Sequence, residues 1–254
     1  MRSQNHIAWF PTTDNTSPSS LLFVRSIPGG KTRKIGAADS MIKPVWSRDG
    51  RFLLYATSFQ SRMFLGARWT LMQYDYQNRS TRRLASLPGV ALVPLGWWHG
   101  HPLFLVANST DSSLYIARAG TSHFLGVLAP QVITSAALSS RSPLVAFVAP
   151  TNCYNCTLEL FDLRTRSEWN GPSGIADESQ LAWSTDGMSV VTTLHSMIAV
   201  VPASIGTQVR LGRAVDMPKT WSHSLRVTIS PSGVHLLDTI TGRSVFSAFR
   251  AGML

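Results

Sequence analysis

Cysteine is almost missing, with two in 254 residues. So few cannot staple a scaffold of this length, and the fold must rest on a hydrophobic core. Acidic residues are scarce too, 13 against 23 Lys and Arg, which disfavours a calcium or magnesium site built from several carboxylate oxygens. Charged residues make up 14% and apolar ones 44%, so the chain is neither a disordered polyelectrolyte nor a charged helical array. No apolar run approaches the roughly 18 residues that cross a bilayer, and the opening MRSQNHIAWF lacks the apolar core of a leader. The chain reads as soluble and without an export address. Helical periodicity of useful length is also lacking.

Signatures of familiar enzymes are missing as well. The nucleophile elbow G-x-S-x-G does not occur, since GPSG at 171–174 is one residue short and no alternation of strands and helices surrounds it. GGKT at 29–32 ends like a phosphate-binding loop, but the first glycine of that loop would fall at Arg25 and no helix follows. H-E-x-x-H is absent. His99 and His101 in WWHGHP could face one side of an extended segment, yet a metal needs further ligands and turn residues are the simpler reading. Cys153 and Cys156 in PTNCYNC have a spacing that serves a short disulfide, an inert or redox-sensitive thiol pair, or half a zinc site with His195 as a third ligand. No cofactor and no metal is expected; Cys153, Cys156 and His195 are the weak metal candidates.

What the chain does contain is a repeat. KPVWSRDG at 43–50 returns as LAWSTDG at 181–187, after about three intervals of 45 residues. Weaker copies stand near 94 (PLGWWHGH), 135 (SAALSSRS) and 219 (KTWSHS). Each copy is followed by an apolar run and two further strand-like segments, such as TLMQYDY then STRRLASL, which makes four strands per unit. Asp-Gly supplies the positive φ of a two-residue hairpin between the first two strands, and the Trp before it packs between neighbouring sheets. RFLLYATSF, PLFLVA and LVAFVAP are apolar on both faces, as strands sandwiched between sheets are. A four-stranded sheet cannot bury both faces alone, so such units stack radially. The expected fold is all-β, a six-bladed β-propeller of four-stranded antiparallel blades forming one domain over 1–254. The blades fall at about 1–37, 41–88, 91–129, 132–171, 178–214 and 217–250, and the first lacks its innermost strand, which would lie before Met1.

These residues resemble the TolB-like propellers with their P-x-W-S-x-D-G repeats. Trp46, Asp49 and Gly50, then Trp183, Asp186 and Gly187, and Trp221 carry the likeness. Blades three and four depart from it with WWHGH and LSSRS in place of the Asp-Gly turn. The family includes envelope proteins that bind other proteins, propeller domains of peptidases and a few lyases, so the resemblance implies a binding platform without choosing among them.

The formal charge of +10 raises the question of nucleic acid. The basic residues are dispersed with no block of five, which disfavours that reading. Connections fall on two faces, one with long loops and one with short hairpins, and long loops on a rigid scaffold are where binding residues collect. The loop 60–69 carries Arg62, Phe64, Arg68 and Trp69, residue types that anchor interfaces; Tyr154 in PTNCYNC and His195 join them as candidate partner-binding residues. The leading expectation is a monomeric, non-catalytic platform for a protein or peptide. The alternative is a lyase or hydrolase, or the propeller part of a larger peptidase or membrane-anchored sensor, and an enzyme requires convergence among His195, Asp39, Asp177 and Glu178.

Overall fold

A computed structural model describes residues 5–10, 19–27, 29–39, 42–58, 67–133, 135–152, 155–175, 181–184, 187–194, 197–203, 210–212, 225–230, 233–238 and 244–247. Among them there are 22 strands and no helix. The chain divides into two compact units, Met1–Val132 and Ile133–Leu254.

In the first unit β1 (Asn5–Trp9), β2 (Ser19–Ile27) and β3 (Arg33–Asp39) form an antiparallel sheet in chain order. Four-stranded sheets follow from β4 (Val45–Trp46), β5 (Phe52–Ser58), β6 (Arg68–Asp75) and β7 (Ser80–Pro88), and from β8 (Ala91–Trp98), β9 (His101–Ala107), β10 (Ser112–Arg118) and β11 (Thr121–Ala129). Leu53, Leu54, Tyr55 and Ala56 are buried in succession, as are residues 102–107. Consecutive burial means that both faces of the strand are covered, which explains the continuous apolar runs. Leu22, Val24 and Ala38 of the first sheet pack with Leu53, Tyr55 and Tyr74 of the second.

In the second unit β12 (Ala136–Leu138), β13 (Leu144–Asn152), β14 (Asn155–Asp162) and β15 (Glu168–Ile175) precede β16 (Ala182–Trp183), β17 (Ser189–Leu194), β18 (Met197–Pro202) and β19 (Arg210–Gly212). The two four-strand sets join into one sheet through the single pair Ile175↔Leu194. Ala146, Val148, Cys156, Leu158, Val190 and Val201 form their shared core. A three-stranded sheet of β20 (Leu225–Ser230), β21 (Gly233–Asp238) and β22 (Ser244–Ser247) follows.

Among the described residues four four-stranded blades are present where six blades are expected, with a three-stranded sheet before and after them. The inner strand expected around Trp221 lies outside the described residues. The first sheet corresponds to the second, third and fourth strands of a blade, because it shares a defect of register with the complete ones. Leu22 and Phe23 of β2 face Gly36 and Lys34, leaving Ile35 extra. Leu71 and Met72 of β6 likewise skip Leu84, and Leu114 and Tyr115 of β10 skip Leu125. The outermost strands β3, β7 and β11 thus carry a bulge at the same place, and a bulge twists an exposed edge away from flat pairing.

The motif turn also differs from expectation. Trp46 pairs with Leu53 and Trp183 with Val190, the same spacing in both copies. Ser47 N–H donates to Phe52 O (2.7 Å), Gly50 N–H to Ser47 O (2.9 Å) and Phe52 N–H to Ser47 Oγ (2.8 Å). Ser184, Gly187 and Ser189 repeat these bonds at 2.9, 2.9 and 3.0 Å. The loop is a four-residue turn closed by Gly50 or Gly187, at φ 72 and 71, and Asp49 does not need positive φ. Its carboxylate accepts from Ser47 Oγ and Arg51 N–H, bracing the turn from inside. The two-residue hairpin expected of Asp-Gly occurs where Asp-Gly is missing: His99 and Gly100 (φ 49 and 77) join β8 to β9, and Ala119 and Gly120 (φ 48 and 80) join β10 to β11. Positive φ at both central residues is the twist that a tight hairpin requires.

Candidate functional site

A cluster of aromatic and basic side chains lies at the hairpin ends of the first two sheets. β1 brings His6, opposite Ser26 of β2; β3 opens with Arg33; β4 ends at Trp46; and Tyr76 follows β6, held by its N–H to Arg51 O at 2.8 Å. The His6 ring is 4.0 Å from Tyr76 and 5.2 Å from Trp46 by centroids, and the Arg33 guanidinium carbon stands 5.1 Å above the Tyr76 ring. Burial pushes the His6 imidazole below its usual range, so at neutral pH one ring nitrogen donates and the other accepts. His6 Nδ1 and Trp46 Nε1 are both buried with no hydrogen-bond partner among the described residues. A buried group left in this way costs about 1–3 kcal/mol. The equivalent Trp183 is satisfied, donating from Nε1 to Ala137 O at 2.9 Å.

Beside the cluster a shallow recess of about 250 Å³ is lined by Arg51, Phe52, Gln73, Asp75, Ser80 and Arg82. Asp75 takes Arg51 Nη2 at 3.0 Å, Asn78 Nδ2 at 2.9 Å and the N–H groups of Gln77 and Asn78 at 3.0 and 3.1 Å. Burial pulls the Asp75 carboxyl upward, but these donors outweigh it and hold the carboxyl below the usual range. Arg51 is therefore committed to Asp75, and Arg82 reaches Gln73 at 3.3 Å. The recess offers hydrogen-bond donors and no group poised for proton transfer.

The residues singled out in the sequence are spread widely. Arg68 is exposed on β6 and reaches Ser86 O at 3.4 Å. Trp69 is fully buried in β6, a strand covered on both faces, and its Nε1 has no hydrogen-bond partner among the described residues. Arg62, Phe64, Cys153, Tyr154, Asp177, Glu178, Asp186, His195 and Trp221 lie outside the described residues. Cys156 is buried in the core of the second unit, and Asp39 is buried at the end of β3. His99 is an exposed turn residue whose ring meets Trp98 at 4.3 Å. Among the described residues no three of His, Cys, Asp and Glu gather as metal ligands, and no helix is long and apolar enough to cross a membrane. Sequence reasoning missed His6, Arg33 and Tyr76. The alternation Tyr74, Asp75, Tyr76 after an apolar run was the available signal for one of them.

No protein-family model matches the chain, and no curated protein matches its sequence. Solved structures do. TolB from Acinetobacter baumannii superposes with a TM-score of 0.59 at 16% identity, over 81% of this chain and 53% of that one. An oligogalacturonate lyase in complex with manganese gives 0.58 at 11% identity, over 89% and 72%. The β-propeller domain of the trilobed protease from Pyrococcus furiosus gives 0.57 at 12% identity, over 98% and 79%. The chain spans about half the length of the TolB structure. At these identities the likeness carries the architecture and no activity: the fold is all-β and of the β-propeller class.

Proposed function

We propose that the protein is a non-catalytic binding platform that recognises a protein or peptide. The observation that carries this reading is the pair of orphaned polar atoms, His6 Nδ1 and Trp46 Nε1, set within a basic and aromatic cluster. Groups of this kind are held ready for hydrogen bonds that a partner supplies, and aromatic and arginine side chains dominate binding energy at interfaces. The exposed Arg68, which follows Arg62 and Phe64 in the sequence, belongs to a second set of residues of similar chemistry.

The test is affinity capture with the full chain, followed by titration of the purified partner. Replacing His6 and Tyr76 by Ala, or Arg62, Phe64 and Arg68 by Ala, is expected to weaken one-to-one binding about tenfold or more, since anchor residues contribute roughly 2 kcal/mol each, while far-ultraviolet circular dichroism stays unchanged. Turnover of an acidic oligosaccharide or a peptide by the purified chain, or a partner indifferent to both variants, would overturn the reading.

A further inference from the structure

Trp183 shows what an indole at the end of a blade's first strand ordinarily meets. It donates to the main-chain carbonyl of Ala137, in the first strand of the preceding blade. Trp46 ends β4 as Trp183 ends β16, with the same pairing distance and the same turn bonds. The carbonyl that it lacks therefore belongs to a first strand in the sheet β1–β3. That sheet begins with a second strand, as its bulge between β2 and β3 establishes, and among the described residues nothing pairs with the other edge of β1.

Six side-chain atoms among the described residues are buried without a partner, and three of them, on His6, Arg25 and Trp46, surround β1. Arg25 sits opposite Ile7 of β1 in register. An unpaired strand edge with orphaned donors on both sides is a template for another strand, because main-chain groups satisfy it regardless of side chain.

We infer that the edge of β1 is a strand-addition site, at which an extended segment of a partner protein completes the first sheet and places a main-chain carbonyl on Trp46 Nε1. The inference rests on the platform reading and names its mode. The internal counterpart, Ala136–Leu138, indicates a short strand with a small residue at the carbonyl that the indole engages. The formal charge of +10 favours an acidic segment, and Arg25 of β2 and Arg33 of β3 lie in the same sheet, one and two strands in from that edge. This chain carries 13 acidic residues against 23 basic ones, and the occupant proposed is a partner's segment.

The probe is a synthetic peptide, Asp-Asp-Thr-Ser-Ala-Ala-Leu-Ser-Ser-Asp-Asp, which carries the sequence of residues 134–140 between aspartates. In proton–nitrogen spectra of the full chain it should shift the Trp46 indole N–H downfield saturably and slow the exchange of the β1 amides. Trp46→Phe should weaken it about fivefold, as loss of one hydrogen bond does, and a peptide N-methylated at alternate residues should not bind even to the unaltered chain. Shifts confined to other residues would overturn the proposal, as would β1 amides already protected and a Trp46 resonance that the peptide leaves unmoved, which would mean that the chain fills its own edge. If the peptide fails while a captured partner still binds through Arg62, Phe64 and Arg68, the platform stands and strand addition falls; if no partner binds either, both fall.

Discussion

Two single residues store free energy that a substitution can release. Ala119 sits at φ 48 in the hairpin between β10 and β11, a conformation that costs an L-residue with a Cβ about 1 kcal/mol and that Asn tolerates. Ala119→Asn is expected to raise stability by about 0.5–1 kcal/mol, read as a higher denaturant midpoint with an unchanged slope. Glu159 of β14 is pushed from 4.5 to about 7, first by burial and then by its hydrogen bond to Glu168 and the charge there. Between those pH values the folded chain holds a proton that the unfolded chain has released, so stability falls as pH rises through the window. Glu159→Gln should flatten that decline, and the difference in midpoint between the two proteins should grow from pH 5 to pH 8. His6, whose pKa is lowered from 6.5, works in the opposite sense, losing stability as pH falls below 6.5, and it cancels from this comparison. None of this chemistry was legible from sequence. A histidine alternating with apolar residues looks like a satisfied core residue, whereas His6 Nδ1 is buried without a partner among the described residues, and Glu159 and Glu168 meet only once β14 and β15 are in register.

Elements were far more legible than residues, and the exceptions share a cause. Every complete blade opens with a strand that turns back into the next, as the Trp-Ser-x-Asp-Gly repeat predicts; that strand is two or three residues long in three blades and eight in β8–β11, where WWHGH replaces the motif. What sequence could not convey was which turn each pair makes. Asp-Gly reads as a two-residue hairpin, yet Ser47 and Asp49 hydrogen-bond inside the loop and make a four-residue turn the better solution. Trp69, which the sequence suggests for a long loop, is instead the second residue of β6 and buried there, because no change of composition marks where β6 begins. The bulged outer strands lead to a test. Inserting one Ala after Leu125, in the bulge of β11, should leave a soluble chain with a melting temperature lowered by only about 2–4 °C. The same insertion after Leu54 of β5, whose seven pairs with β6 run without a shift, should yield unfolded or aggregated protein, since it turns the buried face outward. Equal damage at the two sites would show that the bulge absorbs nothing.

At the scale of the whole molecule, repetition was the strongest signal, because a motif recurring at a fixed interval reports a shared fold even where individual copies decay. The number of complete blades was less accessible, since it depends on strands at the two ends that have no Asp-Gly partner to mark them. Repetition also sets how the molecule can be divided. The indole of Trp183 in one blade holds Ala137 in the blade before it, and Ser142 Oγ there donates to Gly187 O in return at 3.2 Å. At this junction each of the two repeats carries half of a joint whose other half is encoded some 45 residues away, so that excising or transplanting either blade alone cuts it. The smallest module that could be moved between proteins with this joint whole is a consecutive pair of blades, and a pair that begins at residue 133 keeps both halves of it together.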